Sequence, residues 1–329
     1  MSGVVVPNFL VVGAARSGTT GLVEGLRTHP TVFITEPKEP HFFALHGRTV
    51  NFQGPGDATT INRVAVTDTD SYLALYPQDG HFSLLGDGSV SSLYYHDVAI
   101  PAIRAMNPQM RIVIILREPV DRAYSSYQYM RARGFEPEES FLDAVAAEES
   151  RRNADWHHLW HYLAMSRYAG SVSAFLSEFG REQVGIWYYD DLQSDYEKTV
   201  TEVLRFLGAP KVEGEAKGVP RVNISGTPRS NALHQVIWAA TRNEVIRRNV
   251  KRLTSYRVRE LVRRAALRPS GVDAKTRAQL EPEFSDDLKP LAEVIGDVRS
   301  QPSWLAAHGS PQSTAEHLPS KEPAGGDES

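Results

Sequence analysis

The sequence contains no cysteine in its 329 residues. This absence excludes a disulfide framework and thiolate metal sites, and it fits a reducing compartment, so we expect a cytoplasmic protein. An excess of basic charge is also lacking, because 36 basic and 40 acidic side chains leave a formal net charge of -4. Nothing in the overall charge draws the chain to nucleic acid, and any site for an anion must be local.

Long apolar runs are missing as well. The run from Phe9 to Ala15 is far shorter than the roughly 20 residues that span a bilayer, so we expect neither a signal peptide nor an integral membrane segment. The composition, 41% hydrophobic and 23% charged, still allows a large buried core. Because the sequence is too polar to pack from about His308 onward, we predict one domain over residues 1–307 and a disordered tail over 308–329.

Three segments predict a strand followed by a helix. FLVVGA precedes TGLVEGLRTHP, whose apolar residues recur at helical spacing until Pro30. MRIVIIL precedes a helix for which Pro119 suits the first turn, and QVGIWYYDDL precedes YEKTVTEVLRFLG, which Gly208 would end. This alternation predicts an α/β fold with a central parallel sheet flanked by helices.

The segment GAARSGTT, residues 13–20, has the Gly-x4-Gly frame of a phosphate-binding loop at a helix N-terminus. In nucleoside-triphosphate enzymes, lysine and then Ser or Thr follow the second glycine. Here Thr19 and Thr20 follow Gly18, and the nearest cation is Arg16, inside the loop. The charge therefore suits a smaller group than a magnesium triphosphate; the alternative is a tight turn whose glycines serve packing only.

A second motif, LREPVDRAYSSY, places Arg117 at the end of a predicted strand and Ser125 eight positions later on a predicted helix. Both side chains can reach one phosphate from there. Taken together, the two motifs resemble those of the sulfotransferases, both heparan-type and bacterial, that use 3'-phosphoadenosine 5'-phosphosulfate. The alternatives are a surface arginine and an exposed helical serine.

The resemblance implies a P-loop NTPase-like three-layer fold and transfer of a sulfuryl group to a hydroxyl, without a metal, leaving 3',5'-adenosine bisphosphate. It implies that Arg117 and Ser125 bind the 3'-phosphate of the donor. It also implies that the 5'-phosphosulfate is bound by the loop residues Arg16, Ser17, Gly18, Thr19 and Thr20.

The segment TEPKEPHFF resembles the family pattern of an acidic residue, a spacer, a His or Gln and paired Phe. By this resemblance Glu39 is the catalytic base and His41 its neighbour, and Arg16 completes the catalytic set. The base must take the proton of the attacking hydroxyl. Glu36 is the rival carboxylate, and the alternative for His41 is a hydrogen-bonded core histidine.

The sequence departs from the heparan-type pattern at two places. Gly88 stands where those enzymes have a lysine. The role of that lysine is either absent from this protein or filled by Lys38 or Arg16. Their later glycine- and lysine-rich donor loop is also missing; SGTPRS is its substitute, with Arg229 near the phosphate or adenine of the donor. The alternative for this segment is a turn held by Gly226 and Pro228.

Other features leave further readings open. His157 and His161 have the i, i+4 spacing of a helical zinc site. We favour a different role for this segment, in which it forms the wall of the pocket that binds a small-molecule or glycan acceptor. The ten basic residues between Thr241 and Arg268 suit a solvated face, an acidic acceptor or a membrane surface.

The alternative functions are a metal-dependent phosphotransferase, which would use Asp190 and Asp191, and an anion-binding module without catalysis. A sugar, glycolipid or secondary-metabolite hydroxyl is the expected acceptor, with phenols open.

Overall fold

The structure is a computed structural model that describes residues 5–78, 80–211, 227–228, 267–268, 271–296 and 299–309. Its main sheet has five parallel strands in the order β2-β3-β1-β4-β5. These strands are β1 Phe9–Gly13, β2 Val32–Ile34, β3 Leu84–Asp87, β4 Arg111–Leu116 and β5 Val184–Tyr188. A separate antiparallel pair joins β6 Thr227–Pro228 to β7 Leu267–Arg268.

Helices follow the strands and cover both faces of the sheet. The α-helices of the described residues are α1 Thr19–Leu26, α2 Phe42–Leu45, α3 Ile61–Val64, α4 Thr69–Leu73, α5 Ser91–Tyr94, α6 His96–Met106, α7 Pro119–Ala132, α8 Phe141–Ala146, α9 Glu148–Asn153, α10 Ala169–Phe179, α11 Tyr189–Ser194, α12 Tyr196–Leu207, α13 Ala274–Leu280, α14 Ser285–Ile295 and α15 Ser303–Ala306. Short 3-10 helices span Asp57–Thr59, His158–Trp160, Ala164–Ser166 and Glu281–Phe284. None of these helices has the length and apolar character needed to cross a bilayer.

The central strands divide their side chains between two hydrophobic clusters. Val11 of β1 and Val113 of β4 pack with residues of α1 and α12 on one face. Leu10 and Ile112, which alternate with them, pack with residues of α2, α6, α10 and α14 on the other face. Because a parallel strand with helices on both faces is apolar throughout, this packing explains the continuous runs in the sequence. The predicted three-layer P-loop NTPase-like fold is confirmed.

The helix ends lie close to their predicted positions. Pro119 is the first residue of α7, where its missing N–H leaves no intrahelical hydrogen bond unmade. Gly208 ends α12 with a φ of 76°, in the left-handed region that glycine adopts without strain. The side chain of Glu118 caps α7 by accepting hydrogen bonds from the N–H groups of Val120 and Asp121.

The prediction of a helix through His157 and His161 is wrong. Only His158–Trp160 forms a single 3-10 turn, and the ψ of His157 is 165°. The His157 Nδ1 accepts a hydrogen bond from Leu159 N, and the His157 N–H donates to Asp57. These side-chain partners replace the helical hydrogen bonds that a regular helix would form there.

Candidate active site

The predicted phosphate loop, residues 13–20, leaves the end of β1 and enters α1 at a point where glycine is required. Gly18 has a φ of 89°, and a Cβ there would stand 2.9 Å from Leu192 Cδ1 and 3.1 Å from Tyr189 Cδ2. Both the backbone conformation and the space around it therefore exclude a side chain. The Ala14 N–H donates to the Ile115 oxygen at 2.7 Å, which attaches the loop to β4.

Ser17 is fully buried in this loop, one residue before the cap of α1. Its Oγ has no hydrogen-bond partner among the described residues. A buried hydroxyl without a partner costs free energy, and at a helix N-terminus it suits an anionic oxygen. Ser17 and the converging loop thus fit the 5'-phosphosulfate of the predicted donor.

Arg16 connects the loop to α7. Its Nε donates a hydrogen bond to Ser125 Oγ at 3.4 Å, and its guanidinium lies 4.5 Å from the centroid of the Tyr129 ring. Its φ is 68°, so the backbone turns sharply at this residue. Two residues predicted separately, Arg16 and Ser125, therefore meet at one place.

Arg117 follows β4 and reaches the same place. Its Nη1 donates a hydrogen bond to the Arg16 backbone oxygen at 3.0 Å, and its guanidinium stacks on Tyr189 at 4.4 Å from the ring centroid. Its own carbonyl oxygen accepts from Tyr168 Oη at 3.0 Å. Arg16, Arg117 and Ser125 form one group, which we call the cation cluster; its two guanidinium groups suit the oxygens of phosphate groups.

Glu39 lies beside this cluster, with 29% of its side chain exposed. Its Oε1 is 2.5 Å from Lys38 Nζ. Burial raises the pKa of Glu39, but Lys38, His41 and Arg16 together outweigh burial and hold the pKa below its ordinary value. The carboxylate is therefore ionised and can accept a proton. Glu36, the rival, has 82% of its side chain exposed and contacts Arg27 instead.

His41 is buried and hydrogen-bonded. Its backbone N–H donates to Ser89 Oγ at 3.0 Å, and its Nδ1 lies 2.8 Å from Ser91 Oγ. Burial lowers the pKa of His41, with a further contribution from Lys38, while Glu39 opposes the shift. His41 therefore has the contacts of a core histidine while remaining within electrostatic reach of Glu39.

The other histidines do not have the geometry of a metal site. His157 Nε2 contacts Asp57 Oδ1 at 3.3 Å, and His161 lies between Tyr94 Oη and the Trp156 oxygen. Within the described ranges, no cluster of three or more His, Asp or Glu could hold a metal ion. The buried ring of His158 lies 5.8 Å from that of His41, and the ring of Tyr95 lies 5.6 Å from His158. These three rings, which we call the aromatic wall, run from the buried His41 and His158 to the partly exposed Tyr95.

The carboxylates of the phosphotransferase alternative are already engaged. Asp191 Oδ2 accepts hydrogen bonds from the Tyr188 N–H and from Arg299 Nε. Asp190 Oδ2 accepts from Trp304 Nε1 at 3.3 Å. These contacts give both residues a role in attaching the C-terminal part of the described chain to β5. Arg229, the further donor-binding residue expected from the sequence, lies outside the described residues.

Two residues of the site were missed in the sequence. The ring centroid of Tyr129 lies 4.5 Å from Arg16 Cζ and 4.4 Å from Arg133 Cζ. Tyr129 follows Ser125 by four residues in a helix, a spacing that places both on one face. Tyr189 stacks with Arg117, and its ring borders the space beside Gly18 that a Cβ would occupy. Its position directly after a buried strand was the available signal, since that edge of a parallel sheet binds ligands.

A family model described as "Sulfotransferase family" matches residues 7–213 of this chain. The chain belongs to the sulfotransferase family. A solved sulfotransferase from Alicyclobacillus acidocaldarius is 28% identical, with a TM-score of 0.67, over 92% of this chain and 99% of that one. The family resemblance expected from the two motifs is thereby confirmed.

Two sulfotransferase relatives are longer proteins. Bifunctional heparan sulfate N-deacetylase/N-sulfotransferase 2 of Bos taurus is 31% identical over 129 residues, which are 39% of this chain and 13% of the relative. Carbohydrate sulfotransferase 15 of Homo sapiens is 23% identical over 274 residues, 69% of this chain and 47% of the relative. This sulfotransferase chain thus spans less than half the length of either one.

Proposed function

We propose that this protein transfers a sulfuryl group from 3'-phosphoadenosine 5'-phosphosulfate to a hydroxyl group, with 3',5'-adenosine bisphosphate as the other product. The observation that carries the proposal is the cation cluster, which joins the phosphate loop to Arg117 and Ser125 beside Glu39. The donor carries a 5'-phosphosulfate and a 3'-phosphate. The loop suits the first group and the neighbouring Arg117 and Ser125 suit the second, so the site fits this donor better than a nucleoside triphosphate. Membership of the sulfotransferase family supports the same reaction.

The residues divide the work between binding and proton transfer. The loop residues Ser17, Gly18, Thr19 and Thr20 hold the 5'-phosphosulfate, and Arg16 stabilises the negative charge that develops on the bridging oxygen. Arg117 and Ser125 hold the 3'-phosphate and so fix the orientation of the donor. Glu39 takes the proton of the acceptor hydroxyl, and His41 acts on that carboxylate electrostatically. The donor supplies the sulfuryl group, and no metal takes part in our proposal.

The acceptor that we propose is a carbohydrate, a glycolipid or a hydroxylated secondary metabolite. Aromatic and polar side chains suit such acceptors, because rings pack on apolar faces and polar groups fix orientation. Tyr95, the partly exposed end of the aromatic wall, lines a cavity of this character together with Tyr94, Trp156 and His161. The printed names of the relatives, heparan sulfate and carbohydrate sulfotransferases, favour a sugar among the three. We keep the cytoplasmic location as a proposal, which the absence of cysteine supports.

The test is selective binding followed by turnover. Thermal unfolding should show a higher midpoint with 3',5'-adenosine bisphosphate than with ATP and magnesium at equal concentration, since a ligand of the native state stabilises it. Incubation with sulfur-labelled donor and a panel of sugars, glycolipids and phenols should then transfer the label. A larger stabilisation by ATP with magnesium would contradict the proposal and favour the phosphotransferase.

A further inference from the structure

Lys38 is hydrogen-bonded through both its side chain and its backbone to Gly88, the residue that follows β3. Its Nζ donates a hydrogen bond to the Gly88 oxygen at 3.2 Å, and the Gly88 N–H donates to the Lys38 oxygen at 3.0 Å. The same Nζ lies 2.5 Å from Glu39 Oε1, and 15% of the Lys38 side chain is exposed. The ammonium group is therefore held in one position beside the carboxylate.

Gly88 provides the space for this arrangement. A Cβ at residue 88 would stand 3.2 Å from Lys38 Cγ and 3.1 Å from Val23 Cγ2. Val23 belongs to α1, so Gly88 lies between the lysine stem and the helix that follows the phosphate loop. A side chain at residue 88 and the present path of Lys38 exclude each other.

The ammonium group still has donor capacity toward a ligand. It carries three N–H groups, and Glu39 and the Gly88 oxygen take two of them within the described part of the chain. An ammonium fixed next to the base, which itself lies within electrostatic reach of the loop residue Arg16, is placed for an anion that approaches the base.

We infer that Lys38 is a catalytic residue that binds the transferring sulfuryl group, and the inference rests on the proposed function. In this step Glu39 takes the hydroxyl proton while the acceptor oxygen bonds to sulfur. The bond from sulfur to the 5'-phosphate oxygen breaks, and its electron pair stays on the phosphate. Lys38 remains protonated throughout and offsets negative charge on the sulfuryl oxygens, a contribution that preorganised donors make to the transition state.

Lys38→Met tests the inference, because methionine keeps the apolar stem and removes the charge. We expect kcat to fall on the order of 10²-fold, the usual loss for a donor to developing charge. Affinity for 3',5'-adenosine bisphosphate should stay within about twofold, because this ligand lacks the sulfuryl group. Lys289→Met, on the exposed side of α14, is the matched control and should keep the parent kcat.

The pH profile supplies a second readout. The charged and titratable groups that face Glu39 are Lys38, His41 and Arg16, and Asp87 faces Lys38 in turn. Loss of the lysine charge removes the strongest neighbour that favours the carboxylate, so the acidic limb of the rate profile should move to higher pH. The double variant Lys38→Ala/Gly88→Lys should regain roughly tenfold in kcat over Lys38→Ala, since the second lysine enters from the freed side.

Two results would overturn the assignment of Lys38. One is a parent-like kcat in Lys38→Met; the other is an equal loss of kcat and of 3',5'-adenosine bisphosphate affinity with a lower unfolding midpoint, which marks a structural role. Failure of the proposed function looks different, because the parent would then neither bind the bisphosphate nor transfer sulfur. That outcome would overturn both proposals together.

Discussion

Arg117 donates a hydrogen bond from Nη1 to the backbone oxygen of Arg16 at 3.0 Å, across 101 positions of the chain. This contact joins the phosphate loop after β1 to the carboxyl end of β4. The ring of Tyr189 supports the same guanidinium at 4.4 Å. Arg117 is thus held on two sides in the protein itself, and a cation that is already ordered loses less side-chain entropy when it binds an anion.

We expect Arg117→Ala to weaken binding of 3',5'-adenosine bisphosphate by about 1.5–3 kcal/mol, the range for hydrogen bonds to charged groups. Adenosine 5'-phosphate, which lacks the 3' group, should lose much less. Calorimetry with both ligands measures the difference. Arg104→Ala, which removes a surface arginine paired with Glu178, is the control and should change neither affinity. Equal losses for the two ligands would show that Arg117 only supports the loop.

Ser17 and Ser126 should respond in opposite ways to replacement by alanine. Ser17→Ala removes a buried hydroxyl that has no partner in the described structure, so the ligand-free protein should be equally stable or slightly more stable. Its affinity for 3',5'-adenosine bisphosphate should fall by about 1.5–3 kcal/mol, because a hydrogen bond to a charged oxygen is lost. Urea unfolding and calorimetry give the two numbers.

The matched control loses stability instead. Ser126 Oγ donates to the Leu159 oxygen at 3.0 Å, so Ser126→Ala removes this hydrogen bond from a part-buried carbonyl. We expect a loss of about 1–3 kcal/mol in unfolding free energy, with donor affinity unchanged. A destabilised Ser17→Ala with normal affinity would remove Ser17 from the donor site.

Glu39→Gln should lose most of the turnover and keep the affinity for 3',5'-adenosine bisphosphate, because a base acts in the transition state and not on the bound product. The lowered pKa of Glu39 places the acidic limb of the parent profile below the ordinary range of a glutamate. The rate should rise with pH through that limb and then level off. Glu36→Gln is the control, and a larger loss there would exchange the two assignments.

Tyr129 should matter through its ring. Tyr129→Leu removes the surface on which Arg16 stacks, so Arg16 loses a contact that keeps it directed at Ser125. Cation–π contacts contribute about 0.5–2 kcal/mol, and donor affinity should fall by that amount. Tyr129→Phe keeps the ring and should bind like the parent. If both variants bind equally well, the ring does not position Arg16.

Local features of the site could be predicted from the sequence, and contacts between distant segments could not. The turn at Gly18 lies within one strand-to-helix unit, and Arg117 and Ser125 lie within another. The hydrophobic periodicity of such a unit can be read from a short stretch of sequence. The position of Lys38 depends on a glycine 50 positions away. No local pattern contains that information.

The histidines show the same division. Their spacing indicated a helix, but Asp57, 100 positions earlier, accepts the hydrogen bond of the His157 N–H. Periodicity describes what a segment would do alone, whereas a buried carboxylate requires partners wherever the fold brings them. The wall beside His41 therefore had to be seen in three dimensions, although its aromatic composition was visible in the sequence.

His161 should make the stability of the protein sensitive to mild acid. The Trp156 oxygen only accepts, so His161 Nε2 carries the proton and its Nδ1 accepts from Tyr94 Oη at 2.9 Å. Burial, aided by Arg152, lowers the pKa of His161 from 6.5 to about 4. The unfolded chain therefore binds a proton near pH 6.5 that the folded protein takes up only near pH 4, and stability is lost as the pH falls through that window.

His161→Gln should remove this dependence, because glutamine does not titrate. We expect the parent to lose about 1–2 kcal/mol more unfolding free energy than His161→Gln between pH 7 and pH 5, from 1.36 kcal/mol per pKa unit. Urea unfolding of the parent and of His161→Gln at both pH values measures the difference. Parallel pH dependence in the parent and His161→Gln would show that the folded protein protonates this histidine as readily as the unfolded chain does, and that the Tyr94 and Trp156 contacts do not fix its neutral form.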